Sequence, residues 1–484
     1  MAKTQDFDVV IIGGGPAGYV GAIRAAQLGL RTACVEKERL GGVCNNWGCI
    51  PTKALLAAAE LYQSLKHDAG EWGILAPNVS HDWSKVIARS RGIADLGDKG
   101  VGSLFKKHKV THLKGVARIA SRGKVEVRSE SGEHTDTLLA KHIVIATGAR
   151  PRELPGAPFD GQRIISSKEA MSLGTQPRKL LIIGAGAIGA EFAYFYNAFG
   201  TQVTLIEMMP RLLPIEDDDV CKAVEKSFTR GGITCLTAHK TLRVEKTKAG
   251  VQATVAPVAD EKKTQTLEAD AVLVAVGVTG NTEGLFDPSL GVQVVKGHIQ
   301  TDYVPGQGRQ APTYQTAVPG IYAVGDVIGP PWLAHVASEE AVVCVERIAG
   351  HHPDPIDYDA IPGCTYCQPQ VASLGKTERA LKEQGLVKDK DYTVGQFPFL
   401  ASGKARAIGG TEGFVKLIAG KKYGEILGAH LVGEAVTELL GEIGLAIRLE
   451  ATVDEIISTM HAHPTLSEAM HEAALGARGR MLHF

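Results

Sequence analysis

"DVVIIGGGPAGYVGAIRAAQLGLRTACVE", residues 8–36, decides how this chain folds. A β-branched run ends in Gly13-Gly14-Gly15-Pro16-Ala17-Gly18, an alanine-rich helical pattern follows, and a second apolar strand closes on Glu36. Such glycines permit a tight turn and let backbone approach a pyrophosphate at a helix N-terminus. The closing carboxylate suits a ribose diol. The unit occurs twice. "LLIIGAGAIGAEFAYFYNAFGTQVTLIE", residues 180–207, carries Gly184, Gly186 and Gly189 and ends on Glu207, and in both copies 23 positions separate the first glycine from the acid. A lone glycine fingerprint is a weak signal. Its repetition with strand, helix and acid outweighs the bland alternative of two tight strand–helix packings without ligand. Two dinucleotide folds imply two dinucleotides, with electrons passing between them.

Glu207 bears on which nicotinamide cofactor is chosen. A carboxylate there accepts from a free 2′-hydroxyl and repels a 2′-phosphate, which favours NAD over NADP. Arg211 follows a Met-Met-Pro turn and is not read as a phosphate clamp. Further along, "HIVIATGARP" (142–151) and "AVLVAVGVTGN" (271–281) read as buried strands ending in glycine turns, where the chain leaves one nucleotide domain for the next. "GIYAVGDV" (320–327) is a third such strand. Its Asp326 stands where α/β sheets bind ligand, or else caps a helix.

A chain of 484 residues has room for about three domains. With a net charge of −1 it offers no basic stripe for nucleic acid. The opening "MAKTQDFDVVIIGGG" shows no signal-peptide pattern, and no apolar run approaches a membrane span, so a cytoplasmic location is expected. Eight cysteines are too few for a disulfide scaffold.

Two of those cysteines are close together in "GGVCNNWGCIPTKALL", residues 41–56. Cys44 and Cys49 could pair, hold a metal or fill space. An unbroken helix holds Cα atoms five residues apart at roughly 8–9 Å, whereas a disulfide needs about 4.4–6.8 Å. Pairing therefore requires a distorted helix start, which Gly41, Gly42 and Gly48 permit, with Pro51 in the first regular turn. A helix N-terminus also favours a thiolate. "CTYC" (364–367) could complete a metal site on paper, but its alternation reads as two ordinary strand cysteines.

Taken with these residues, "GIYAVGD" and "HAHPTLSEA" (461–469), the chain resembles the pyridine nucleotide–disulfide oxidoreductases over almost its full length. Within that family it is similar to the members that oxidise dihydrolipoyl groups. The resemblance implies an α/β fold of two Rossmann-like dinucleotide-binding domains plus a C-terminal α+β interface domain. The implied boundaries are 1–150 for FAD, 151–279 for NAD, 280–350 for a central segment returning to the FAD domain, and 351–484 for the interface domain. The Pro-rich stretch 351–363 reads as a linker. Residues 413–433 read as a hairpin of alternating strands around Lys-Lys-Tyr-Gly.

The resemblance also implies roles. FAD would be held by Gly13, Gly15, Gly18 and Glu36, by Lys53, by the backbone at Ala117, and by Thr147, Gly148, Asp326 and the helix start at Ala334. NAD would be held by Gly184, Gly186, Gly189, Glu191, Glu207 and Gly277, with Glu191 pairing Lys53. Read alone, Lys53 is a snorkelling helix lysine. Cys44 and Cys49 would form a redox disulfide, with Cys44 as the interchange thiol and Cys49 beside the flavin. His463 would be the base and Glu468 its orienter, although Thr465-x-x-Glu468 alone reads as a capping box. His461 has no assigned role. The implied assembly is a homodimer whose active sites are shared across subunits, acting on lipoylated E2 of a 2-oxoacid dehydrogenase complex or on the glycine-cleavage H protein. The rivals are a glutathione-reductase-like enzyme, which Glu207 opposes, and a non-catalytic FAD-bound electron carrier, which the intact Cys44, Cys49, His463 and Glu468 oppose. Asn45, Val278, Gly280 and Val336 depart from the family pattern.

Overall fold

A computed structural model describes residues 3–484. The chain divides into two compact units, one of Met1–Ala54, Ser84–Arg152 and Gly277–Tyr358, the other of Leu55–Trp83, Glu153–Val276 and Asp359–Phe484. The fold is α/β with an antiparallel C-terminal sheet, as the sequence led us to expect.

In the first unit β1 (Lys3–Ile12) passes through the glycine turn into α1 (Pro16–Gln27) and β2 (Thr32–Glu36). The cysteine segment forms α2 (Gly42–Trp47) and opens α3 (Cys49–Gln63). After α4 (Trp83–His108) come β3 (Thr111–Lys114), β4 (Val116–Ser121), β5 (Lys124–Arg128) and β6 (His134–Ile145). The sheet order is β3-β2-β1-β6-β5-β4, with Ile321–Ala323 also on β6. The pairs among β1, β2, β3 and β6 are parallel, and so is that of Ile321–Ala323. Parallel strands covered on both faces read as unbroken apolar runs, and Val9 to Ile12 are all buried. The register matters for the site. Ala146 N–H donates to the Ile12 carbonyl and Val324 N–H to that of Ile145. The carboxyl ends of three strands therefore lie side by side, bringing Gly13, Thr147 and Gly325-Asp326 to one edge. The segment β7 (Ala149–Pro151) pairs antiparallel with Val278–Gly280, so the two stretches read as exits from their sheets form one ribbon.

In the second unit the repeated fingerprint builds a five-stranded parallel sheet around Lys179–Ile183, flanked by Gln202–Ile206 and Ala271–Val274. The C-terminal sheet is antiparallel and has five strands. It contains the expected hairpin, Phe414–Gly420 with Ile426–Gly433. The expected alternation of exposure is absent, because Phe414–Gly420 is buried throughout. Val415, Leu417 and Ala419 pack with Met470 and Ala473 of the terminal helix. Lys416, on the opposite face, reaches Asp217, Asp219 and Glu378 at 2.7, 2.8 and 3.0 Å.

Candidate active site

The two fingerprints share one geometry. A Cβ on Gly13 would strike the Ala146 backbone and one on Gly184 the Ala275 backbone, and both residues have positive φ. A Cβ on Gly18 or Gly189 would strike the carbonyl of the first glycine. Packing alone thus demands the first and third glycines. The second is different. A Cβ on Gly186 would meet nothing within 4 Å, and one on Gly15 only Gly42 Cα at 3.8 Å. Open space at a fingerprint glycine is what a backbone-hugging ligand requires. The acids match as well. Glu36 accepts from Gly14 N–H at 2.6 Å and Glu38 N–H at 2.7 Å, and Glu207 accepts from Ala185 N–H at 2.7 Å and Met209 N–H at 2.8 Å. Burial pushes the Glu36 carboxyl upward against those hydrogen bonds. Arg211 is engaged by Asp218 at 2.5 Å.

The helices α1 after Gly15, Ala187–Ala198 after Gly186, and Ala334–Ile348 after Leu333 each begin without a side-chain cap and without an acid in the first turn. Each leaves backbone N–H groups for an anionic partner. The turn Gly325–Ile328 carries Asp326, which caps nothing. Asp326 is half-buried, its carboxyl has no hydrogen-bond partner among the described residues, and burial pushes it up to about 6. Such an orphaned acid fits a ligand hydroxyl. Behind it, Glu340 accepts from Gly325 N–H at 2.7 Å and from the Tyr358 hydroxyl at 2.9 Å, and burial raises it to about 7. Thr147 and Gly148 are stitched to Asn281, and Gly148 has positive φ. Ala117 lies in β4, and nearby Gly115 N–H donates to the Glu36 carbonyl at 3.0 Å. The residues present fit FAD at the first fingerprint and NAD at the second.

The cysteine segment is distorted where the reading required it. Gly41, the N-cap of α2, is left-handed at φ 87°, and Gly48 breaks the helix at φ −146°, ψ −116°. Cys44 stands before the break and Cys49 after it. The segment is anchored to the fingerprint, since Gly41 N–H donates to the Gly14 carbonyl at 2.8 Å and a Cβ on Gly42 would lie 2.6 Å from Gly15 Cα. The two sulfurs are not bonded to each other, but their thiols share a hydrogen bond. That bond, together with burial, raises the Cys44 thiol strongly, while the Lys53 ammonium pulls it down. Lys53 therefore acts on the cysteine pair.

At the other end of the chain, His463 Nδ1 lies 2.9 Å from Glu468 Oε1. Glu468 Oε2 accepts from Thr465 N–H at 2.9 Å. One carboxylate oxygen thus takes a backbone N–H three residues upstream and the other the histidine. The Thr465 hydroxyl donates to the Ala462 carbonyl, and Ser467 is the N-cap of the terminal helix Glu468–Ala477, so the expected Thr465-x-x-Glu468 capping box is not completed. Partial burial raises Glu468, but the Thr465 N–H and His463 outweigh it and hold the carboxyl low. The His463 side chain is 79% exposed, while that of His461 is 6% exposed and tied to Glu442 at 2.8 Å. His463 is therefore open to solvent where His461 is not.

The remaining residues sit as follows. Glu191 is buried and accepts from Tyr366 N–H at 3.0 Å. Gly277 has φ 101° and accepts from Arg152 N–H. Val336 is buried within its helix. Sequence reasoning missed Glu340 and the α4 side chains that grip the cysteine segment, because neither carries a spacing signal.

Residues 7–341 match the family model for pyridine nucleotide-disulphide oxidoreductase, and 361–474 match that family's dimerisation domain. The chain is 45% identical to dihydrolipoyl dehydrogenase of Rhizobium etli over 99% of both chains, and 46% identical to that of Chlorobaculum tepidum over 97% of both. Among solved structures, LpdA from Mycobacterium tuberculosis superposes with a TM-score of 0.86 at 26% identity, covering 96% of this chain and 99% of that one.

Proposed function

Because the chain belongs to the pyridine nucleotide-disulphide oxidoreductases, we propose that it oxidises dihydrolipoyl groups through a reversible Cys44–Cys49 bond, with FAD and NAD as carriers. The observation that carries this is the helix break at Gly48, which brings two thiols into contact beside the first fingerprint.

His463 takes the proton of an incoming dithiol at Nε2, the ring atom with no partner among the described residues, while Glu468 fixes Nδ1. The freed thiolate attacks Cys44, the Cys44–Cys49 bond breaks, and Cys49 leaves as a thiolate. The second substrate thiol then displaces Cys44. A dithiol and a protein disulfide have become a substrate disulfide and a protein dithiol. Bound FAD supplies the two-electron relay from the cysteines to NAD. Gly13, Gly15, Gly18, Glu36, Lys53, Ala117, Thr147, Gly148, Asp326 and the helix start at Ala334 hold FAD. Gly184, Gly186, Gly189, Glu191, Glu207 and Gly277 hold NAD. The domain boundaries expected from sequence belong to this reading, as does a cytoplasmic homodimer acting on lipoylated E2 or the glycine-cleavage H protein.

The test is Cys49→Ser in the holoenzyme. It should abolish dihydrolipoamide oxidation and leave FAD bound. Retained dihydrolipoamide oxidation in that variant would overturn the proposal.

A further inference from the structure

The face of α4 grips the cysteine segment along its length, in antiparallel order. Asp98 Oδ1 accepts from Leu40 N–H at 3.0 Å. Asn45 Nδ2 donates to the Ala94 carbonyl at 3.1 Å, and Arg91 Nη1 donates to the Asn46 carbonyl at 2.7 Å. Ser90 Oγ donates to the Pro51 carbonyl at 2.9 Å, and Arg89 Nη1 to the Ala54 carbonyl at 3.0 Å. The contacts fall on both sides of the Gly48 break. A mid-helix glycine makes room for them, since a Cβ on Gly97 would strike the Asn45 side chain.

Arg91 has the most consequential position. The end of a helix leaves carbonyls without intrahelical partners. Asn46 is the next-to-last residue of α2, the short helix that carries Cys44, and its carbonyl receives the guanidinium. A cation at a helix C-terminus is favourable. Arg91 is half-buried, and that burial draws its pKa down.

We propose that Arg91 is a positioning residue for the cysteine pair: by bonding the carbonyl at the helix break, it holds the two sulfurs within range of bond closure. Closing a disulfide takes Cα atoms to about 4.4–6.8 Å. A backbone free to relax toward continuous helix would carry them beyond it. The effective concentration of one thiol at the other falls when the break is free to move, and the disulfide becomes easier to reduce. Asn45 and Ser90 share the work on either side of the break. This inference rests on the proposed redox role of Cys44 and Cys49.

The experiment is a thiol–disulfide equilibrium. Holoenzyme is poised in mixtures of reduced and oxidised dithiothreitol, quenched by alkylation, and Cys44 and Cys49 are counted by mass spectrometry. Reduced dithiothreitol gives two electrons and two protons to the protein disulfide and becomes the cyclic disulfide. Arg91→Ala should shift the balance toward the dithiol by about tenfold, and Arg91→Lys, which keeps a donor and the charge, should recover most of that shift. FAD content and NADH-to-dye transfer should match wild type, which a general loss of structure would not allow. An Arg91→Ala equilibrium equal to wild type overturns the inference. If Arg91→Ala does not fold, Ser90→Ala decides: a shift of about threefold in the same direction supports the inference, and no shift overturns it. Failure of the wild-type cysteines to form the bond at any ratio would instead sink the redox reading itself.

Discussion

At the scale of the residue, the glycines of each fingerprint divide by cause. Gly189 has no room for a Cβ against Gly184, so Gly189→Ala should overpack the helix start and cost about 1–3 kcal/mol, measurable by urea unfolding. Gly186 meets nothing, so Gly186→Ala should leave the unfolding midpoint alone and weaken NAD about tenfold, measurable by titration. All six glycines look alike in sequence. Only the tertiary structure shows which are required by packing and which face open space. Asp326 gives a second contrast. Its carboxyl is raised to about 6 in the folded chain, above its ordinary 3.8. The folded state then binds the extra proton, and stability falls as pH rises from about 4 to about 6, remaining low above that. Asp326→Asn should therefore stabilise FAD-stripped protein at pH 8 while weakening FAD binding. Urea midpoints at pH 4 and pH 8 check the first effect, and flavin titration checks the second.

At the scale of the element, the strand Phe414–Gly420 shows where pattern reading reaches its limit. The expected alternation would turn every second side chain of the hairpin to water, yet Lys416 is 1% exposed and held by three carboxylates. Its pKa is raised because those partners outweigh desolvation. Removing one member of a buried ion cluster strands the others. Lys416→Met should destabilise by about 3–5 kcal/mol, seen in thermal unfolding. The same limit hid the role of α4. Arg89, Ser90 and Arg91 drew no reading from the sequence, because their partners are backbone carbonyls, which have no sequence identity. The cysteine segment was more legible. Gly41, Gly42 and Gly48 flagged a distorted helix, since only glycine takes such backbone conformations without strain.

At the scale of the whole molecule, the dimerisation-domain match at residues 361–474 gives the shared-site proposal its test. Chains carrying Cys49→Ser and chains carrying His463→Ala, coexpressed, form mixed dimers. If His463 acts on the partner's cysteines, each mixed dimer holds one intact site, and about a quarter of wild-type activity should return. If base and cysteines belong to one chain, dihydrolipoamide oxidation stays absent.

The sequence by itself determined the two dinucleotide-binding units, the acid that closes each, the close pair of cysteines and the His463–Glu468 spacing. Those features depend on local backbone freedom and on short chain separations, which residue identity encodes directly. Tertiary structure alone decided which glycines face open space, that Lys416 is buried, and that α4 braces the break between the cysteines. Those depend on groups distant in the chain meeting through carbonyls and packing, where the identity of one residue says nothing about the other.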